Sequence, residues 1–207
     1  RAGSGARLSG PWHRIARGAK LRIHIVGHGI VGTATGEGFS RFGHDIVYSD
    51  KGEARPAADL HLVCTPEDTV PQVVGELAEG GRTRAPLIAV RSSTPSGTVA
   101  DLAEEFGIDL WHNPEFLRQA SAEQDFLFAT RAIIGASRPG EICDPLEQLY
   151  AEMGLPVSRC TSTESEFAKL ATNAYLAAQV SFCNSMGWIM EGAGVNSHRV
   201  ARLVALD

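Results

Sequence analysis

The chain has 207 residues and a mass of 22.1 kDa, room for one ordinary domain and a piece of another. With 43% hydrophobic and 21% charged residues it is not a disordered chain. A mean hydropathy of -0.06 without a long apolar run excludes a membrane-spanning helix, and a net charge of -5 argues against nucleic acid as partner.

The first 36 residues carry Arg1, Arg7, Arg14, Arg17, Lys20 and Arg22 and no acid. Residues 1–20 read as an appended or frayed basic leader outside the fold. From Leu21 the pattern is regular. Leu21–Val26 alternates and is β-branched, which reads as a buried strand, and it runs into Gly27-His-Gly29-Ile-Val-Gly32 and a helix to about Phe42. Strands are expected at 46–50, 58–64, 86–91, 108–111 and 131–135. Helices are expected at about 68–79, 96–106 and 141–153. This alternation predicts an α/β fold, a Rossmann-type doubly wound parallel sheet over residues 21–160. Residues 164–193 then show helical spacing, and 196–206 a second short helix. Together 161–207 read as a central helical linker and dimerisation segment of an incomplete second domain.

Gly27-x-Gly29-x-x-Gly32 between a strand and a helix is the dinucleotide fingerprint. Its glycines permit a tight turn and close approach to a pyrophosphate. The N–H groups of the helix that opens at Ile30 and Val31 are expected to face the phosphates. Asp50 lies eighteen residues beyond Gly32 at a strand end, where a carboxylate accepts ribose hydroxyls and repels a 2′-phosphate. NAD is therefore the expected cofactor, with Lys51 next door either reaching a phosphate or simply solvated. Cys64-Thr65-Pro66 and Ser92-Ser93-Thr94-Pro95-Ser96-Gly97-Thr98 also fall at carboxyl ends of strands. Their groups suit ribose, nicotinamide amide or substrate, or else helix capping by Thr94 or Ser96.

Lys169 and Asn173 stand at i and i+4 on the long helix, so one face carries an amine and an amide. Such a pair can bind a substrate hydroxyl, with the lysine taking its proton or stabilising the oxyanion as hydride leaves for NAD. Glu166, one turn earlier, is expected to face solvent. Glu115, in Asn113-Pro-Glu-Phe-Leu-Arg118 after a short strand, sits where a general base or acid would serve the ligand crevice. The cysteines at 64, 143, 160 and 183 form no C-x-x-C pair and read as reduced thiols of a cytoplasmic protein, and no metal site is expected.

Asn113-Pro-Glu-Phe-Leu-Arg118 with Ala122, Asp125 and Arg131-Ala-Ile-Ile-Gly135 resembles the signature stretch of the UDP-glucose/GDP-mannose dehydrogenase family. Glu164-Ser-Glu-Phe-Ala-Lys169-Leu-Ala-Thr-Asn173-Ala-Tyr, continuing to Ser181-Phe-Cys-Asn184, is similar to that family's central helix. The resemblance implies a cytoplasmic enzyme that oxidises the C6 alcohol of a UDP- or GDP-linked hexose to the acid with NAD, dimeric through the central helix. It further implies Glu115 as general base of the hydrolytic half and as cofactor contact, and Lys169 and Asn173 as oxyanion ligands. Phe116, Leu117 and Arg118 would line the sugar pocket. Ser93 stands where the family has a threonine that positions water, and only nine residues separate Asp50 from Leu60, where the family carries a helical insertion. The family's nucleophilic cysteine motif is not in the chain, so it is expected to be the NAD-binding portion of such an enzyme. Two alternatives fit the same residues. One is a single-step β-hydroxyacid-type dehydrogenase using Lys169 and Asn173 without cysteine. The other is a non-catalytic NAD-binding and dimerisation module.

Overall fold

A computed structural model of the chain describes residues 18–80, 86–138, 140–141 and 143–205. Of the expected basic leader, residues 1–17 lie outside the described residues. The rest falls into two compact units that divide between Lys169 and Leu170.

The first unit alternates strands and helices. These are β1 (Arg22–Val26), α1 (Ile30–Arg41), β2 (Asp45–Ser49), β3 (Leu60–Val63), α2 (Val70–Gly80), β4 (Ile88–Val90), α3 (Thr98–Phe106) and β5 (Leu110–His112). There follow α4 (Ala122–Leu127), β6 (Ala132–Ala136), α5 (Asp144–Glu152), β7 (Val157–Thr161) and the first turns of α6 (Ser162–Gly192). The seven strands form one sheet in the order β2-β1-β3-β4-β5-β6-β7. Each face is covered because each strand sends alternate apolar side chains to opposite sides. Ile25, Leu62, Ala89 and Trp111 pack on one face with Phe39 and Leu149, while Val26, Val63, Val90 and Leu110 pack on the other with Val74 and Leu102.

The expectation of a parallel sheet needs one correction, for β6 pairs antiparallel with β5 through Trp111↔Ala136 and His112↔Gly135. A parallel neighbour requires a helical crossover. Here α4 instead packs against α1, with Phe126 edge-on to Phe39 at 5.1 Å, so the connection does not cross a face beside β5. Neither α4 nor β7 stood out in the sequence.

Thr161 and Glu164 start α6 as a capping box. The Thr161 N–H donates to Glu164 Oε2 at 2.8 Å and the Glu164 N–H to Thr161 Oγ1 at 3.2 Å. Gly135 lets this end lie against β6, since a Cβ there would come within 2.6 Å of Ser165 Cβ. The second unit holds the rest of α6 and α7 (Ser197–Val204), whose first turn is capped by Asn196 Oδ1 accepting from the Arg199 N–H at 2.9 Å. Tyr175, Val180, Phe182 and Trp188 are exposed on it. No helix among the described residues is long and apolar enough to cross a membrane.

Candidate functional site

Strand order reverses at β1, which has β2 on one side and β3 on the other, and such a switch point opens a crevice at the carboxyl ends. Gly27 fills that point. It has φ +98°, its N–H donates to Ser49 O at 2.9 Å, and a Cβ on it would meet Cys64 O at 2.7 Å. A side chain at position 27 would therefore push apart the ends of β1, β2 and β3. A Cβ on Gly32 would stand 1.9 Å from Gly27 O, so this glycine lets α1 descend onto the turn. Gly29 caps α1 without a side chain and has open space around its Cα. The N–H groups at Ile30 and Val31 thus begin the helix beside a cleft of about 660 Å3 that His28, Thr33, Glu37 and Gln119 help to line. A wider cleft of about 960 Å3 lies at the entry to β2, between Phe42–His44 and Asp144–Glu152, and none of the predicted site residues line it.

Asp50 is exposed just beyond β2. One carboxylate oxygen accepts the Lys51 N–H at 2.8 Å, and the Asp50 N–H donates to Glu53 Oε2 at 2.8 Å, which fixes the turn. On β3's side, Thr65 Oγ1 is buried and has no hydrogen-bond partner among the described residues. A buried hydroxyl left open at the crevice, together with glycines that a Cβ would clash with, fits a dinucleotide held by the turn. Ser92 is differently employed, since its hydroxyl donates to Thr65 O at 2.6 Å and ties the two loops together. Burial pushes the Cys64 thiol up to about 12, with the nearby Glu115 carboxylate acting in the same direction. The buried thiol of Cys143 is also raised, as is that of Cys160, so none of the three is a ready thiolate nucleophile.

Three polar contacts bind the first turns of α6 to the carboxyl ends of β4 and β5. His112 Nδ1 and Ser165 Oγ are 2.8 Å apart. The expectation for Glu166 is overturned, because it is fully buried rather than solvent-facing. Its carboxylate accepts Thr94 Oγ1 at 3.0 Å, the Gly97 N–H at 2.6 Å and the Val99 N–H at 2.9 Å. It thereby caps α3 from another helix, supplying the acceptor that Gly97, as N-cap, lacks. Removing it leaves the buried Val99 N–H, the partly buried Gly97 N–H and the Thr94 hydroxyl without this acceptor. Glu166→Ala is therefore expected to cost about 3 kcal/mol in urea unfolding.

The third contact joins two residues singled out from the sequence. Lys169 Nζ donates to Glu115 Oε1 at 2.9 Å and to Glu115 O at 2.6 Å, with side-chain exposures of only 7% and 14%. The other carboxylate oxygen accepts the Leu117 N–H at 2.5 Å, and Lys169 Nζ stands 5.2 Å from the Phe116 ring centre. The loop is anchored by Asn113, whose Nδ2 donates to Ile133 O at 2.8 Å while its oxygen accepts from Arg91 and from Tyr150 Oη. Arg91 is buried, and nothing in its sequence context beyond an arginine closing an apolar strand announced it. Leu117 packs partly against the core, and Arg118 is exposed with its guanidinium forked onto Asp125 at 2.6 and 3.0 Å. Ser93 is half-buried in the β4–α3 loop. Asn173, one turn past Lys169 along α6, is exposed and belongs to the second unit. Among the described residues no group of three or more His, Cys, Asp or Glu could hold a metal ion.

Comparison with known proteins gives a consistent result. Residues 163–207 match the central domain model of the UDP-glucose/GDP-mannose dehydrogenase family. The UDP-glucose 6-dehydrogenase of Rhizobium meliloti is 26% identical over 90% of this chain and 56% of its own length. The GDP-mannose 6-dehydrogenase of Pseudomonas savastanoi pv. phaseolicola is 30% identical over 77% of this chain and 41% of its own. The solved structure of a UDP-glucose dehydrogenase from Pyrobaculum islandicum superposes with a TM-score of 0.80 at 25% identity, covering 93% of this chain and 58% of that one. The chain spans about half the length of these relatives or less.

Proposed function

We propose that the chain, whose residues 163–207 match the central-domain model of the UDP-glucose/GDP-mannose dehydrogenase family, forms the dinucleotide-binding and alcohol-activating part of a nucleotide-sugar 6-dehydrogenase. The substrate class is a UDP- or GDP-linked hexose oxidised at its C6 alcohol, and the cofactor is NAD, which supplies the hydride acceptor. The observation that carries this reading is the largely buried Lys169–Glu115 pair, in a unit whose β1–α1 turn has glycines that leave no room for a Cβ.

In this reading the N–H groups at the start of α1, with Gly27, Gly29 and Gly32 clearing the approach, hold the pyrophosphate. Asp50, with Lys51 beside it, takes the adenosine ribose, while Cys64, Thr65, Pro66 and Ser92 line the path to the reacting end. Thr65 Oγ1 is the free donor there. Lys169, its ammonium aligned by two Glu115 oxygens, gives a hydrogen bond to the sugar oxygen as negative charge grows on it. Asn173 adds a second donor, and Glu115 activates water in the hydrolytic half, with Ser93 positioning that water. Phe116, Leu117 and Arg118 border the sugar. The division into a nucleotide domain over 21–160 and a helical segment over 161–207 goes with this reading. So does a homodimer closed over the exposed Tyr175, Phe182 and Trp188. A cytoplasmic setting agrees with four unpaired cysteines.

The test is calorimetric titration of the 207-residue chain with NAD, followed by NADH absorbance with UDP-glucose and with GDP-mannose. Binding that Asp50→Ala weakens at least about tenfold, the loss of a charge-assisted hydrogen bond, supports the cofactor site. Absence of NAD binding overturns it. Binding without NADH formation from either sugar overturns the catalytic part.

A further inference from the structure

We infer that Glu76 sets the chain's discrimination between NAD and NADP by occupying the guanidinium of Arg55. The inference rests on the dinucleotide reading above and adds a specificity device to it.

Arg55 lies five residues beyond Asp50, in the connection from β2 to β3. Its Nη1 donates to Asp50 O at 3.1 Å and to Ser49 Oγ at 2.8 Å, so the guanidinium sits against the turn that carries the ribose carboxylate. A planar fork beside that carboxylate is the arrangement that accommodates a 2′-phosphate. Here the fork is already filled. Nε and Nη2 both donate to Glu76 Oε2, at 3.0 and 2.8 Å, and the arginine side chain is only 12% exposed. Glu76 projects from α2 and is itself held by Gln72, whose Nε2 donates to Oε1 at 2.8 Å. These hydrogen bonds hold the Glu76 carboxyl below the usual carboxylate range, so it is ionised at neutral pH.

A 2′-phosphate arriving at this turn meets the carboxylates of Asp50, Glu53 and Glu76 beside the Lys51 ammonium, with the Arg55 guanidinium neutralised by the last of the three. A ribose with a free 2′-hydroxyl needs only the Asp50 carboxylate. Glu76 acts through Arg55 and is a positioning residue. Glu76→Gln keeps its shape and its place beside Gln72 but removes the charge that holds Nε and Nη2.

The experiment titrates the full 207-residue chain with NAD and with NADP at one fixed ionic strength, as wild type, Glu76→Gln and Glu76→Gln/Arg55→Met. Wild type is expected to prefer NAD. Glu76→Gln is expected to tighten NADP at least about tenfold, the scale of a freed charge-assisted contact, with NAD affinity moving less than about threefold. Arg55→Met in the same background returns NADP to its wild-type affinity. A merely structural Glu76 would lower both affinities together and leave their ratio unchanged, which overturns the inference. Equal wild-type affinities for the two nucleotides overturn it as well. A wild-type chain that binds NAD while Glu76→Gln leaves NADP unimproved removes Glu76 alone. A wild-type chain that fails to bind NAD removes the dinucleotide reading and this device with it.

Discussion

Lys169→Met is expected to lower the rate of NADH formation from a nucleotide sugar by about 10³-fold while moving NAD affinity little. A single oriented donor to a developing oxyanion is worth that much in a site with little water. Lys169 Nζ is oriented from two directions, by Glu115 O at 2.6 Å and Oε1 at 2.9 Å, and stands over the Phe116 ring. The same substitution leaves the Glu115 carboxylate largely buried without its counter-ion. Breaking such a pair from one side costs about 3 kcal/mol, so a loss of rate by itself does not separate chemistry from folding. The double variant Glu115→Gln/Lys169→Met does separate them, because neither a lone charge nor a lone ammonium remains. Urea unfolding of the double variant is expected to recover most of the stability that Lys169→Met loses, while initial rates stay depressed. A double variant that regains the rate with the stability would reduce Lys169 to a packing role. A single variant with unchanged rate would dismiss the residue from the chemistry altogether.

What could be read from the residues alone followed the strength of local patterning. The glycine turn, Asp50 and the strands of the inner sheet were legible because each inner strand is buried on both faces and is mostly apolar. Lys169 and Glu115 were each singled out, but their pairing was not, since 54 positions separate them and only the fold brings them within hydrogen-bond distance. The strand β7 escaped notice because Val157-Ser-Arg-Cys-Thr161 lies at the sheet edge with Ser158 and Arg159 exposed, so neither alternation nor an apolar run marks it. Glu166 was misjudged for a related reason. On a helical wheel a glutamate beside Lys169 belongs to solvent, and only the open N–H groups at the start of α3 provide a buried place for it. The antiparallel β6 was hidden in a connection whose helix turned toward α1, a choice made by Phe126 and Phe39 rather than by the loop's own composition.

The fold is expected to lose stability steeply as pH falls from 6.5 toward 4, and the cause lies in the sheet. Burial lowers the pKa of His24, His61 and His112 each to about 4 from 6.5, with His61 adding to the effect on His24. His24 and His61 are register partners on β1 and β3, their Nδ1 atoms 2.9 Å apart, and His24 Nε2 is 2.7 Å from Ser49 Oγ. Ser49 Oγ also accepts from Arg55, and the two facing Nδ1 atoms share one proton, given by one ring and accepted by the other. That contact needs one Nδ1 without its proton, so it breaks when both rings are charged. A group with a depressed histidine pKa binds its proton in the unfolded chain first. Its contribution is therefore fully present above pH 6.5 and declines as pH falls to about 4, by about 2 kcal/mol per histidine at pH 5. Glu166 and Glu141 work in the opposite direction, since burial raises the pKa of each and acid favours the folded form, but they begin to titrate from a lower ordinary value and are two groups against three. Carboxylates held low, such as Glu164 and Asp125, act only below about pH 4.5 and leave this window to the histidines. Urea midpoints measured from pH 7 to 4.5 check the sign and the slope. His24→Leu/His61→Leu replaces both partners by apolar groups and is expected to remove about two thirds of the slope between pH 6.5 and 5 while leaving stability at pH 7 within about 1 kcal/mol. A slope equal to that of the wild type would place the acid sensitivity elsewhere in the molecule.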